Sequence, residues 1–188
     1  SRDAFNLSGN SNITGDITNS GTLISHNEIF QVNASTIGGN FTNSGIITAS
    51  RELFELDNST VSGDITNSGT INMGAELFEL NNSTISGDIT NSGSISISGS
   101  YLLDARNNST ISGNFTNSDR ITAEKSFIAL YDSSTISGNV TNESSGAIDA
   151  AYKFFDLNDS STMSGAITNR GTINAGDEGI VVRTNTTM

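Results

Sequence analysis

The 188-residue chain contains no cysteine, no proline and no tryptophan, and it has one histidine and eight basic side chains. Each absence excludes something. Without cysteine there is no disulfide and no thiol chemistry, and a single histidine leaves too few nitrogen ligands for a zinc site. Lys125, Lys153 and six arginines are scattered singly, so no basic patch exists to neutralise nucleic-acid phosphates or anionic lipid head groups. No run of about 18 apolar residues occurs, and the start of the chain lacks a charged segment followed by an apolar one, which excludes a transmembrane helix and an uncleaved signal peptide. His26 lies in an irregular stretch and no Gly-x-Ser-x-Gly elbow is present, so His26 reads as a solvated corner residue rather than a catalytic base.

What is abundant is small and polar. Thirty Ser, 24 Asn, 22 Thr and 19 Gly make up half the chain, and 20 acidic residues bring the net charge to −12. Such a composition predicts disorder unless the few apolar residues are placed with unusual regularity. They are. A block of the form Ser-Thr-Ile-Ser-Gly-[Asp/Asn]-Ile-Thr-Asn-Ser-Gly-Thr-Ile recurs, with its first glycine at Gly15, Gly39, Gly63, Gly87, Gly113, Gly138 and Gly165. Residues 1–188 therefore read as one continuous array without separate domains.

Within a block, β-branched residues alternate with small or polar ones, as in Gly63-Asp64-Ile65-Thr66-Asn67. A period of two over three to five residues, bounded by Gly, Asn and Ser, describes short strands with no room for a helix. A short strand cannot bury its apolar face alone, so the repeats must stack. The expected fold is all-β: a single-stranded parallel β-helix, or β-solenoid, of about seven coils of 24–27 residues, with three walls, a triangular cross-section and uncapped ends. A leucine-rich repeat is excluded because no Leu-x-x-Leu-x-Leu frame occurs, and the nine-residue calcium roll fails on period.

Alternation predicts which side each column takes. Ile17, Phe41, Ile65, Ile89, Phe115, Val140 and Ile167 face inward, and the threonines that follow them face outward. Asn19, Asn43, Asn67, Asn91, Asn117, Asn142 and Asn169 turn inward again at a corner, where stacked amides form a structural ladder. Columns headed by Ile13 and Leu23 complete the apolar lining on that side. The variable segment, seen in Glu52-Leu53-Phe54-Glu55-Leu56, supplies the third wall, with Phe30, Phe54 and Phe78 in its core column.

Three surface features are candidates for function. Asp16, Asp64 and Asp88 share an outward column, read as a weak calcium site at most, and no other cofactor is expected. Glu55, Glu79, Asp104 and Asp156, with Asn6 and Gln31, form an outward negative stripe. Beside it Ile29, Leu53, Leu77, Leu102, Phe127 and Phe154 form an apolar column that alternation points away from the core or into a corner: either it packs in that corner, or it is a surface for lateral self-association.

The repeats Gly-Asp-Ile-Thr-Asn-Ser-Gly-Thr-Ile at 63–71, with relatives at 15–23 and 87–95, resemble those of autotransporter passenger domains and related Gram-negative surface adhesins. That resemblance implies a right-handed helix exported across the outer membrane to the bacterial cell surface or the medium, where it serves as a stalk for adhesion or aggregation. A non-catalytic structural segment follows as the expected function. Its expected partners are further coils of the same polypeptide, other copies end to end, or ligands on host or neighbouring cells, with no nucleic acid and no membrane embedding. The alternatives are a β-helical carbohydrate-active enzyme fragment and an ice- or crystal-binding solenoid that uses the outward threonines.

Overall fold

The structure is a computed structural model that describes residues 3–188. Among these residues every strand lies parallel to its counterpart one coil away, and the strands form four sheets, one of eight strands and three of seven. Wall A begins with Phe5–Leu7 and recurs through Phe54–Asp57 and Phe78–Asn81 to Glu178–Val182. Wall B consists of two-residue strands from Asn12–Ile13 to Thr162–Met163. Wall C runs from Ile17–Asn19 to Ile167–Asn169, and wall D from Thr22–Ser25 to Thr172–Ala175. The chain visits A, B, C and D in each turn, and equivalent residues stack in register. Phe54 lies opposite Phe30 and Phe78, and Ile65 opposite Phe41 and Ile89.

The all-β solenoid of about seven coils is thus present, but with four hydrogen-bonded walls in place of the expected three. The difference arises between Val61 and Ile65. Residues 62–64 turn so tightly over the preceding coil that a Cβ added to Gly63 would stand 2.2 Å from the carbonyl oxygen of Gly39, and Gly87 meets Gly63 in the same way one coil on. That corner detaches the two-residue strand at Thr60–Val61 from wall C and makes it a wall of its own.

The inward columns close into one apolar core from Leu7 to Met163. Phenylalanine rings in wall A stack on one another, Phe5 on Phe30 and Phe30 on Phe54 at 4.7 Å, while Phe41 from wall C meets Phe30 and Phe54 edge-on. Further along, wall A carries Leu103 and Ile128 and the ring volume moves to Phe115 and Phe127, which pack edge-to-face at 5.3 Å. The core holds its volume by exchanging ring positions between columns.

Coil length varies at the corner between walls A and B. Coils with one residue there in the left-handed region place Asn58 and Asn82 in it. The longer coils place two residues, Asn107 with Asn108 and then Asp132 with Ser133. Asn and Asp tolerate positive φ, so an insertion is absorbed without disturbing the strands on either side.

The close approach at the glycine corner predicts that Gly87→Ala costs about 1–3 kcal/mol through overpacking, measured as a lowered urea midpoint. Gly15→Ala, where nothing lies within 4 Å of the added methyl, leaves the midpoint nearly unchanged. Equal effects of the two substitutions would contradict the close stacking.

Candidate functional site

Three of the four corners are lined by polar ladders that satisfy themselves. Between walls A and B, the amides of successive buried serines donate to the hydroxyl of the next, Ser35 to Ser59 at 3.2 Å, Ser59 to Ser83 at 3.0 Å and Ser83 to Ser109 at 3.1 Å, as far as Ser134; beyond it the Ser161 hydroxyl has no partner. Between walls B and C, the backbone amide of each coil donates to the side-chain oxygen one coil back. Asn40 donates to Asp16 at 2.8 Å, Asp88 to Asp64 at 2.9 Å and Asn114 to Asp88 at 2.7 Å. Between walls C and D, Asn43 donates its amide to Asn67 Oδ1 and Asn67 donates to Asn91 Oδ1, both at 2.8 Å, and the series runs from Asn19 to Asn169. The Asn column therefore stands where alternation puts it. Asp16, Asp64 and Asp88 hold the stack together through Oδ1, and among the described residues the groups of three carboxyls close enough to share an ion are formed by glutamates.

At the fourth corner, between walls D and A, the apolar column takes the corner-packing alternative and not the lateral one. Ile29, Leu53, Leu77, Leu102, Phe127 and Phe154 are buried, none more than 4 % exposed, so no lateral apolar strip is available for self-association. All but Phe154, which lies within the strand Lys153–Leu157, precede their wall A strand in a bend, where the two-residue period does not apply, and rotate into the corner. Phe127 and Phe154 stack there at 5.2 Å.

That rotation leaves the preceding glutamates in an unusual setting. Glu28 and Glu52 are 0 % and 1 % exposed, while Glu76 is half-buried. One carboxylate oxygen from each of Glu28, Glu52 and Glu55 lies within 4.8 Å of the others, and the same holds for Glu52, Glu76 and Glu79. Glu55 and Glu79 come from the stripe and line an open groove on the outer face of wall A, together with Gln31, Asn33, Asp57 and Asn81. Arg51 reaches into the cluster, with Nη1 3.0 Å from Glu28 and Nε 3.3 Å from Glu52. Burial raises the Glu28 carboxyl to about 7, helped by the neighbouring Asp3 and opposed by Arg51. Burial likewise raises Glu52 to about 8, again against Arg51, and raises Glu79 beside Glu76 and Glu55.

Further along the stripe the same outward column has its own cations. Asp104 is buried and takes both Nε and Nη2 of Arg106, at 3.0 and 2.8 Å, and Asp156 takes Lys153 Nζ at 2.9 Å and Arg183 Nη1 at 3.3 Å. Arg106 lies over the ring of Tyr131, whose hydroxyl is shifted upward by burial and by Tyr101. The stripe is therefore partly covered, with Asp104 and Asp156 buried beneath their cations. The signal for the glutamate corner is present in the sequence as Glu-Leu-Phe-Glu at 52–55 and again at 76–79, one coil apart. His26 is exposed. No protein-family model, curated protein or solved structure matches this chain.

Two outcomes follow. Asn67→Ala removes the best acceptor of the Asn43 amide and the side-chain donor to Asn91 Oδ1, leaving only long bonds to each, and costs about 1–3 kcal/mol, whereas Thr66→Ala on the outer face costs far less; urea melts of both variants check this. Raised carboxyl pKa values mean that the folded state holds protons more tightly than the unfolded chain. The stabilisation is complete below the unfolded value of 4.5 and is lost as pH rises through about 7 and 8. In chelator-treated buffer Tm falls between pH 5 and pH 9. Glu52→Gln flattens this fall, and a Tm that rises over the same interval would show that Arg51 dominates the corner.

Proposed function

We propose that the chain is a non-catalytic structural and adhesive segment of a bacterial surface or secreted fibre, acting as a rigid β-helical stalk. The observation that carries this reading is the uninterrupted register. All four walls continue from coil to coil, and length changes are absorbed in corners such as Asn107-Asn108. An enzyme built on a solenoid needs a cleft, and large insertions or long loops usually provide one; here no connection between described strands exceeds five residues. The repeat motif, with its likeness to autotransporter adhesins, supports display outside a Gram-negative cell, and the strongly acidic surface suits a protein that stays dispersed at high local density. The outward threonines of wall C stand in single file, since each three-residue strand exposes one side chain. A flat lattice-matching face for ice or crystals would want a second row beside them.

Display on a non-adherent carrier bacterium tests the proposal. Cells carrying the array are expected to aggregate or to bind surfaces more than cells carrying the anchor alone, and pulling on single molecules is expected to show a stiff rod that yields in coil-sized steps. Release of reducing ends or unsaturated sugars from a polysaccharide panel would overturn the non-catalytic reading.

A further inference from the structure

We infer that the corner between walls D and A in the first coils is a calcium site, with Glu28, Glu52 and Glu55 forming one ligand set and Glu52, Glu76 and Glu79 a second that shares Glu52. The inference is independent of whether the chain is a stalk. It begins with the difference between this corner and the other three. Serine and asparagine carry both a donor and an acceptor, so like residues stacked one coil apart can bond to each other. The outward Asp and Asn of the second corner are met by backbone amides. A carboxylate is an acceptor only, and carboxylates stacked on themselves need a cation or a proton between them.

The structure shows that need unmet. Glu28 Oε2 and Glu55 Oε2 receive no hydrogen bond, although Glu28 is fully buried; nor does Glu52 Oε2, which has the Arg51 guanidinium at 3.3 Å. Asp3, which pairs with Glu28, is a further carboxylate: the two can share a hydrogen bond only when one of them holds a proton, and the Asp3 oxygens also accept from Asn6 and Asn27. Five glutamates thus face one guanidinium, and Arg51 contacts only the Glu28 and Glu52 side of the cluster. The coils beyond give the contrast. Where Arg106 pairs with Asp104, the register positions one and two coils back hold Asn81 and Asp57, so Glu79 and Glu55 have no such arginine. The cation these coils lack as a side chain can come from solution.

The donor set selects the ion. All ligands are carboxylate oxygens, with no histidine or cysteine, which favours a hard cation. Three carboxylates within 4.8 Å of one another, open to the groove on wall A, leave room for the six to eight oxygens of calcium, including water, and impose no strict octahedron of the kind magnesium requires.

Calorimetry with CaCl2 on the chelator-treated 188-residue chain tests the site, with MgCl2 in a parallel titration. Wild type is expected to take up two calcium ions, with a rise in Tm at millimolar calcium and a weaker response to magnesium. Glu52→Gln is expected to lower affinity about tenfold or more at both positions, since calcium affinity follows ligand charge. Glu28→Gln and Glu76→Gln each remove one ion and spare the other. Glu79→Gln, a change at a half-buried wall position, serves if Glu52→Gln does not fold, and it should abolish the second ion. No calcium uptake by wild type would overturn the inference. So would uptake undiminished in Glu52→Gln, or uptake lost in Asp64→Asn and retained in Glu52→Gln, which would move binding to the aspartate column.

Discussion

In a parallel stack with coils about 4.8 Å apart, the nearest neighbours of any side chain above and below come from the same position of the repeat. Every residue type is therefore tested against itself. Phenylalanine passes by stacking its ring, as Phe30 does on Phe54. Asparagine passes because its amide donates upward and accepts from below, so a column such as Asn43, Asn67 and Asn91 forms an unbroken chain inside the protein. Serine passes through its own amide and hydroxyl. Glycine passes where backbones approach too closely for any Cβ, as at Gly63 and Gly87. A composition that looks too polar to fold holds together because half of its residues are self-complementary in this sense.

Glutamate fails the same test, and the two ends of wall A's outer column show two remedies. Asp104 and Asp156 recruit arginine and lysine from their own or an adjacent coil. Glu28, Glu52 and Glu76, with Glu55 and Glu79, recruit only Arg51, and burial pushes two of the carboxyls into the neutral pH range. Three corners of the solenoid are thus scaffolding, saturated apart from the Ser161 hydroxyl at the end of the serine column, whereas the fourth retains unfilled capacity for a ligand. That distinction separates the residues that maintain the rod from those with chemistry to spare.

The Asn ladder was legible because a strand of fixed period precedes it: if Ile65 is inward, Asn67 is inward two residues later. For the apolar column of Leu53 and Phe127 alternation left two placements open, an outer face or a corner. Those residues sit in a bend before the strand begins, where side-chain direction depends on the local backbone turn and not on a period of two, and the bend carries them into the core. The same bend hides Glu52. Its spacing from Glu55 and its recurrence as Glu76 can be read directly, but nothing in one dimension says that a residue three positions before a solvent-facing glutamate brings its carboxylate to the same point.

What the sequence by itself determined was the architecture: a 24- to 27-residue period, strand-length alternation and turn residues between strands leave few alternatives to a stacked parallel coil. Tertiary structure decided the number of walls, because the separation of Val61 from Ile65 into different sheets depends on how closely the Gly63 corner packs over Gly39. It also decided which corners are satisfied and which are not. Hydrogen-bond satisfaction is a property of groups one coil apart, some 24 residues away along the chain, and of the burial that removes water as a partner.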